Sequence, residues 1–362
     1  MFNLKLLFIK KILDKCLDSG FEEVITSSEE FLKVNSSLKV ISRYFRKIIY
    51  LSIRRQTNLE VETFPIHSRI LMIYTKKNYG DAILELSGRR LINHNFIIDL
   101  ITTSELASFF SQDKIFNRVF DFSKSIEEES YDYVLLTEFS KKAINQKIKL
   151  LPRTKFACMF RFFYGPDRNQ VYFSHFTVNK IFKLNIEVAN ILLNARPALW
   201  WKDEDFETQN PIQKIGSIAL SIGGIDPERI YERWDTLIKH LDNTISNKLR
   251  VYLLGSSNAE LTIRKISELP LKKIKVISLV GKTSLQQCRY VIDSSDFFVG
   301  CDGGMLHVAH TCNTPTLSLF QLPAKYRLTQ ITPSKVLEAK QNVNEIDPKK
   351  ILEQLDSIDL KS

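Results

Sequence analysis

The sequence predicts an α/β protein of two Rossmann-like, doubly wound domains, preceded by a helical arm. Continuous apolar runs, such as residues 70–74, are typical of parallel strands that are covered on both faces. Such runs alternate with segments whose apolar residues recur at helical spacing. The chain has 362 residues, of which 44% are hydrophobic, and this is enough for two cores of ordinary size.

Changes in this pattern divide the chain into four parts. Residues 1–66 lack the rhythm of strands and turns and are predicted to be the helical arm. Residues 67–210 and 211–345 each show the alternation of a Rossmann-like domain. Residues 346–362 predict a C-terminal helix that begins with the Asp-Pro pair at 347–348.

Within the two domains the pattern predicts individual elements. The predicted strands are residues 70–74, 96–101, 133–137, 215–222, 250–254, 274–279, 296–300 and 316–320. The stretch 152–210 is irregular, apart from one helix over about 176–194.

The composition is basic, with a net charge of +10 and a pI near 9.2. This charge favours an anionic partner, such as nucleic acid, lipid headgroups, a phosphorylated glycan or a nucleotide, although the composition of the source genome would explain it equally well. The chain has no nucleic-acid recognition motif and no aromatic-basic platform, so we do not expect nucleic acid as a partner.

The five cysteines are scattered and form no CxxC pair, which predicts free thiols in a reducing, cytosolic compartment and no zinc site. No apolar run reaches 18 residues, so we expect a soluble or peripheral protein.

The arm contains a basic amphipathic helix. Between residues 36 and 55 the apolar residues fall on one side, Lys and Arg fall on the other, and no acidic residue occurs. Such a helix suits the interface of an anionic membrane. The alternative, that the apolar side packs on the body of the protein, stays open.

Two loops that follow predicted strands carry candidate functional residues, because ligands of open α/β sheets bind beyond the carboxyl ends of strands. In the loop of Asp302, Gly303 and Gly304, the glycines let a phosphate approach the backbone and the next helix offers free N–H groups. A tight turn needs glycine too, and His307, one turn later, suits either a phosphate contact or the core. Asp81, beside Gly80, suits either catalysis or a helix cap.

Three segments resemble the family 9 glycosyltransferases, the heptosyltransferases of lipopolysaccharide core assembly. The longest comprises residues 280–285, 295–309 and 313–320. Residues 70–81 resemble the family's first strand and Gly-Asp turn, and residues 221–224, with Arg229 and Trp234, resemble a third signature. The resemblance spans residues 69–352 and leaves the arm outside.

This resemblance implies a GT-B type fold, in which an acceptor domain and a nucleotide-sugar domain face a cleft. It implies that Asp81 is the general base of an inverting transfer and that Arg229 pairs with the donor phosphates. The donor-binding residues that it implies, together with the loop residues above, are Gly80, Gly223, Gly224, Arg229, Glu260, Lys282, Thr283, Asp302, Gly303, Gly304 and His307.

The sequence also departs from the family at the donor loop. Asp302-Gly303-Gly304 stands where Asp-Thr-Gly is expected, and the segment after Phe320 lacks the usual glycine. We recognise no Asp-x-Asp motif of the kind that holds a divalent metal against a diphosphate, so we expect neither a metal nor a cofactor.

The expected partners are an ADP-heptose-like nucleotide sugar, a lipopolysaccharide or lipooligosaccharide core acceptor and an anionic membrane. The expected location is the cytoplasmic, inner face of the bacterial inner membrane. The alternatives are a same-fold transferase with another donor or acceptor, and a catalytically silent glycan-binding or scaffold protein.

Overall fold

A computed structural model describes residues 37–127, 130–159, 169–201, 204–209, 211–212, 216–321 and 324–356. The chain forms two compact units. Unit 1 contains the described residues up to Ala198 together with Thr329–Ile331, and unit 2 contains the rest from Leu199 onward. The sequence placed the boundary between residues 210 and 211.

Unit 1 is built around a five-stranded parallel sheet with the order β3-β2-β1-β4-β5. Its strands are β1 (Arg69–Ile73), β2 (Ile97–Thr102), β3 (Arg118–Asp121), β4 (Tyr133–Leu136) and β5 (Lys155–Cys158). Its helices are α1 (Ser37–Ile53), α2 (Tyr79–Glu85), α3 (Ser104–Phe110), α4 (Lys141–Leu150), α5 (Gln170–Ile181) and α6 (Val188–Asn194). The strand order reverses between β1 and β4, so the loops after these two strands lie at the switch point where such sheets bind ligands.

Unit 2 has a six-stranded parallel sheet with the order β11-β10-β9-β6-β7-β8. Its strands are β6 (Ser217–Ser221), β7 (Leu249–Leu254), β8 (Ile274–Ser278), β9 (Phe297–Cys301), β10 (Thr316–Phe320) and β11 (Ser334–Glu338). Its helices are α7 (Glu204–Gln209), α8 (Trp234–Thr244), α9 (Glu260–Ser267), α10 (Leu285–Asp293), α11 (Gly304–Ala309) and α12 (Pro348–Asp356). Here the order reverses between β6 and β9.

The central strands bury consecutive residues, as expected for sheets that are covered on both faces. All five residues of β6, β9 and β10 are buried, and so are the last four of β1. At Gly300 in β9 the neighbouring side chains leave no room for a Cβ atom. A Cβ at Gly300 would lie 2.8 Å from the Phe298 ring and 3.0 Å from Ser221 Cβ, so glycine is required there.

The region after β5 differs from the prediction. Two helices, α5 and α6, replace the single helix over 176–194, and Lys183 and Asn185 between them have positive φ angles of 49° and 55°. Left-handed residues cannot continue a right-handed helix, so the chain turns there. Strands β3, β5 and β11 were not predicted.

In helix α1, burial does not follow the division into an apolar and a basic side. Lys47, on the basic side, is only 6% exposed and pairs with Glu60 at 2.5 Å. In contrast, Ile49 is 56% exposed and Ile53 is 73% exposed. Among the described side chains of this helix, these isoleucines are therefore largely exposed to solvent, and Lys47 of the basic side contributes to the packing. None of the helices in the described residues is long and apolar enough to cross a membrane.

Residues 1–36 of the predicted arm and the last six residues of the predicted C-terminal helix lie outside the described residues.

Candidate functional site

Asp81 lies at the switch point of unit 1, in the first turn of α2. Asn78 occupies the N-cap position, so Asp81 is the third residue of the helix and not its cap. The half-buried Asp81 carboxylate accepts a hydrogen bond from Asn78 Nδ2 at 3.4 Å. Gly80, also half-buried, precedes it in the same turn. Asp81 is therefore not the N-cap residue, although an acidic side chain in the first turn also stabilises the N-terminus of a helix.

Asp302 forms the centre of a second group, at the switch point of unit 2. It directly follows β9, and its Oδ2 lies 3.3 Å from Nη1 of Arg229, which comes from the loop after β6. Its Oδ1 lies 3.4 Å from Nε2 of His307, one turn into α11. The side chains of Asp302 and His307 are 2% and 5% exposed, whereas that of Arg229 is 30% exposed. We refer to Arg229, Asp302 and His307 as the Asp302 cluster.

The charges around Asp302 keep its carboxylate ionised. Burial raises the pKa of Asp302. His307, Arg327 and Arg229 together lower it by more than burial raises it, and the resulting pKa is about 2. Asp302 therefore carries a negative charge throughout the physiological pH range and holds two potential cations beside it.

Several polar atoms of the Asp302 cluster are buried and have no hydrogen-bond partner among the described residues. They are Nε of Arg229, both carboxylate oxygens of Asp302 and Nδ1 of His307. Their ion-pair distances of 3.3–3.4 Å exceed the 2.7–2.9 Å that is usual for charge-assisted hydrogen bonds. Buried polar groups are nearly always bonded, so water or a polar ligand is expected to contact these atoms.

The glycines at the ends of β6 and β9 have different roles. Gly223 has φ +84°, and a Cβ there would lie 2.7 Å from Oδ1 of Asn258, so this position requires glycine. The next carbonyl, that of Gly224, accepts a hydrogen bond from Asn258 Nδ2. At Gly303 an added Cβ would meet nothing closer than a carbonyl oxygen at 4.0 Å. The backbone before α11 is therefore open to a ligand, and Gly304 is the first residue of that helix.

The remaining predicted donor residues make local contacts. Glu260 is an exposed residue that begins α9. Lys282 Nζ donates to the Ser278 carbonyl at 3.3 Å, and Thr283 Oγ1 donates to the Leu279 carbonyl at 3.2 Å. These contacts do not connect the three residues with the Asp302 cluster.

Three residues that sequence reasoning missed contribute to the geometry. Asp226 Oδ2 lies 3.4 Å from Nε of Arg229, Arg327 lowers the pKa of Asp302, and Asn258 bridges the loops after β6 and β7. Asn258 follows a strand-end glycine, Gly255, and this signal could have indicated it. Asp226 belongs to an Asp-Pro pair that begins the short helix Pro227–Arg229, a signal for a helix start and not for a site, and Arg327 lies in a turn without a motif.

No group of three or more His, Cys, Asp or Glu side chains in the described parts of the chain is placed to hold a metal ion.

Comparison with known proteins identifies a family and a fold. The family model described as glycosyltransferase family 9 (heptosyltransferase) matches residues 119–354. This match begins after Asp81, so the Gly80-Asp81 turn lies outside it. No curated protein matches the chain in sequence.

Solved structures similar to this chain include a family 9 glycosyl transferase from Veillonella parvula (TM-score 0.65, 13% identity, 83% of this chain and 100% of that chain covered). E. coli ADP-heptose lipopolysaccharide heptosyltransferase II gives a TM-score of 0.61 at 17% identity, with 80% and 98% covered. For E. coli heptosyltransferase WaaC with ADP-2-deoxy-2-fluoro heptose, the TM-score is 0.56 at 14% identity, and 80% of this chain and 99% of that chain are covered. With the two parallel sheets, these similarities confirm the predicted α/β, GT-B type fold class.

Proposed function

Because this chain belongs to glycosyltransferase family 9, the heptosyltransferase family, we propose that it transfers heptose or a related sugar from an ADP-heptose-like donor to a lipopolysaccharide or lipooligosaccharide core. The WaaC structure, which contains an ADP-heptose analogue, supports this donor class. The observation that carries the proposal is the Asp302 cluster, with its unbonded polar atoms at the switch point of unit 2.

Unit 2 would bind the donor through its diphosphate. The Arg229 guanidinium and the open backbone at Gly303 and Gly304 are the groups that suit phosphate oxygens. The buried, ionised Asp302 would repel phosphate, so its role is to orient Arg229 and His307. As the glycosyl bond breaks, negative charge grows on the departing diphosphate, and Arg229 stabilises it.

Unit 1 would supply the base. The Asp81 carboxylate accepts the proton of the acceptor hydroxyl while the hydroxyl oxygen attacks the anomeric carbon of the donor. The bond from that carbon to the diphosphate breaks in the same step, and the nucleoside diphosphate leaves with the electron pair. A single displacement of this kind inverts the anomeric configuration.

We propose that the reaction needs no metal, because Arg229 supplies the positive charge that a divalent ion would provide. The triplet Asp203-Glu204-Asp205 has the Asp-x-Asp spacing. However, Asp205 is an exposed residue at the start of α7 and does not follow a strand of the sheet.

The proposal predicts selective stabilisation by the correct nucleotide. We expect ADP at about 100 times its Kd to raise the free energy of unfolding by about 2.7 kcal/mol, whereas UDP, GDP and CDP at the same concentration have little effect. Thermal unfolding with each nucleotide, with and without EDTA, measures this. Stabilisation by another nucleotide would indicate a donor with that nucleotide. An increase in the unfolding temperature that requires magnesium would contradict the metal-free mechanism. ADP stabilisation without sugar transfer to any core acceptor would instead favour the silent scaffold.

We further propose that the enzyme works at the inner face of the inner membrane, with α1 at the lipid interface. The exposed Ile49 and Ile53 lie one turn apart on this helix. Exposed arginines lie on either side of them in the chain, Arg46 within the helix and Arg54 and Arg55 directly after its end. An apolar strip that is flanked by arginines suits an anionic bilayer, where each basic residue near the surface contributes about 1 kcal/mol.

Membrane binding should therefore depend on both features of α1. We expect Ile49→Ser with Ile53→Ser, and separately Arg46→Glu with Arg54→Glu, to abolish sedimentation with anionic liposomes at low salt. Transfer to a soluble, delipidated acceptor should be unchanged. Lys47 is left intact because it is buried and paired with Glu60. Ile97→Ser is the matched control, since Ile97 is 48% exposed on β2. Sedimentation of either double variant at the wild-type level would exclude α1 as the membrane contact.

A further inference from the structure

A buried acidic side chain lies one helical turn after the proposed base. Glu85 is four residues after Asp81 on α2, so the two carboxylates share one face of the helix, one turn apart. The Glu85 side chain is 1% exposed. A glutamate is seldom buried so completely, and its surroundings therefore require an explanation.

Three side chains, two from the loop after β1 and one from α5, donate hydrogen bonds to the Glu85 carboxylate. Lys76 Nζ donates to Oε1 at 2.6 Å, Gln170 Nε2 donates to Oε1 at 3.2 Å, and Tyr74 Oη donates to Oε2 at 3.1 Å. Lys76 also lies 3.8 Å from Glu138, in the loop after β4. These contacts connect the loop after β1 and the start of α5 with Glu85, the last residue of α2.

The charges in this group act on one another. The Lys76 ammonium lies beside two carboxylates, Glu85 and Glu138, and the Asp81 carboxylate is close enough to act on Glu85. Burial raises the pKa of Glu85, Lys76 lowers it and Asp81 raises it, and the resulting pKa is about 7. Glu85 therefore changes its charge close to neutral pH.

Other ionisable groups also lie near α2. Arg89, in the short helix after α2, pairs with Asp113 at 2.6 Å. His175 on α5 contacts the Val171 carbonyl through Nδ1 at 2.8 Å, and burial lowers its pKa to about 3, so it stays neutral near pH 7. The pKa of Tyr74 is raised well above 10, mainly by burial.

We propose that Glu85 is a positioning residue for catalysis: through its charge and its bonds to Tyr74 and Lys76, it sets how strongly Asp81 attracts the acceptor proton. A negative charge at Glu85 repels that of Asp81 and so favours transfer of a proton to Asp81. When Glu85 is protonated, this assistance is absent. The inference rests on the proposed role of Asp81 as the base.

The sign of the pH dependence follows from this coupling. Above pH 7 Glu85 is ionised, so turnover is high; below pH 7 Glu85 is neutral, so turnover is lower. The wild-type kcat should therefore rise with pH through an inflection at about 7, the pKa of Glu85, when donor and acceptor are saturating.

The test compares kcat over about pH 5.5–8.5 in three variants. Glu85→Gln should remove the inflection and lower kcat about threefold to tenfold at the alkaline end, as expected for a weaker general base, with little change in KM. Glu85→Asp keeps a carboxyl group, so part of the inflection that Glu85→Gln loses should remain. Tyr74→Phe removes a hydrogen bond that lowers the pKa of Glu85, so its inflection should move to higher pH. A purely structural role of Glu85 does not predict this shift.

Two outcomes distinguish this inference from the proposed function. If Asp81→Asn abolishes turnover but Glu85→Gln keeps the inflection near pH 7, Glu85 does not act on the base and the inference is wrong. If Asp81→Asn stays active, the assignment of Asp81 itself fails, whatever Glu85 does. Should Glu85→Gln not fold, an unshifted inflection in Tyr74→Phe overturns the inference on its own.

Discussion

Asp81→Asn is expected to lower kcat by about two to four decades, the range for loss of a general base. Asn has nearly the same shape as Asp but cannot accept the acceptor proton. The KM and Kd for the donor should hardly change, because the Asp302 cluster lies in unit 2 and Asp81 in unit 1. Steady-state kinetics and calorimetric titration with ADP measure the two quantities separately.

The matched control for this change is Asn78→Ala. It removes the 3.4 Å hydrogen bond to Asp81 and leaves the carboxylate in place, so we expect kcat to fall by less than about tenfold. An Asp81→Asn enzyme within a few-fold of wild type would show that Asp81 only stabilises the first turn of α2. Its removal would then cost about 0.3–1 kcal/mol of stability and no catalysis.

Most of the fold follows from the sequence because the central strands are buried on both faces. A strand such as β1 or β10 has mostly apolar or small residues at successive positions, and such a run is visible without an alignment. The helices between the strands then follow from their spacing.

The strands that sequence reasoning missed are short or lie at an edge. β3 and β5 have four residues each, and β3 and β11 are only partly buried. A run of four gives no measurable period, and a half-buried edge strand mixes polar with apolar residues. Each of them pairs with the strand that precedes it in the chain, so its pairing depends on residues outside its own short run.

The sequence indicated those site residues that have a suitable side chain and also lie in a loop after a strand. Asp81, Arg229, Asp302 and His307 were all indicated, and the structure brings the last three together. Glu85 was not, because an acidic residue within a helix normally faces solvent. Only the tertiary contacts with Lys76, Tyr74 and Gln170 show that it is buried.

The arm shows a different limit of sequence reasoning. The helical pattern correctly identified a helix within residues 36–55, but the pattern alone does not show which side faces the protein. The Lys47–Glu60 pair and the buried Leu51 decide this orientation, and Glu60 lies outside the helix.

Arg229→Ala is expected to lower kcat/KM by about 10²–10³-fold, the range for loss of one preorganised group that stabilises developing negative charge. Both kcat and KM should suffer, because the guanidinium contacts the diphosphate before and during its departure. Arg229 also lies 3.3 Å from the buried Asp302, so its removal leaves that carboxylate with fewer cations. The Kd for ADP, measured by calorimetry, should rise together with KM.

Arg229→Lys and Lys282→Ala separate the contributions of charge, shape and location. Lys keeps the charge of Arg229 but loses its planar fork, so we expect a loss of about tenfold, clearly smaller than that of Arg229→Ala. Lys282 is exposed and donates to the carbonyl of Ser278 at the end of β8, so Lys282→Ala should change kcat/KM by less than about threefold. The reverse pattern, an unchanged Arg229→Ala and a strongly impaired Lys282→Ala with both proteins folded, would assign the phosphate contact to the loop after β8.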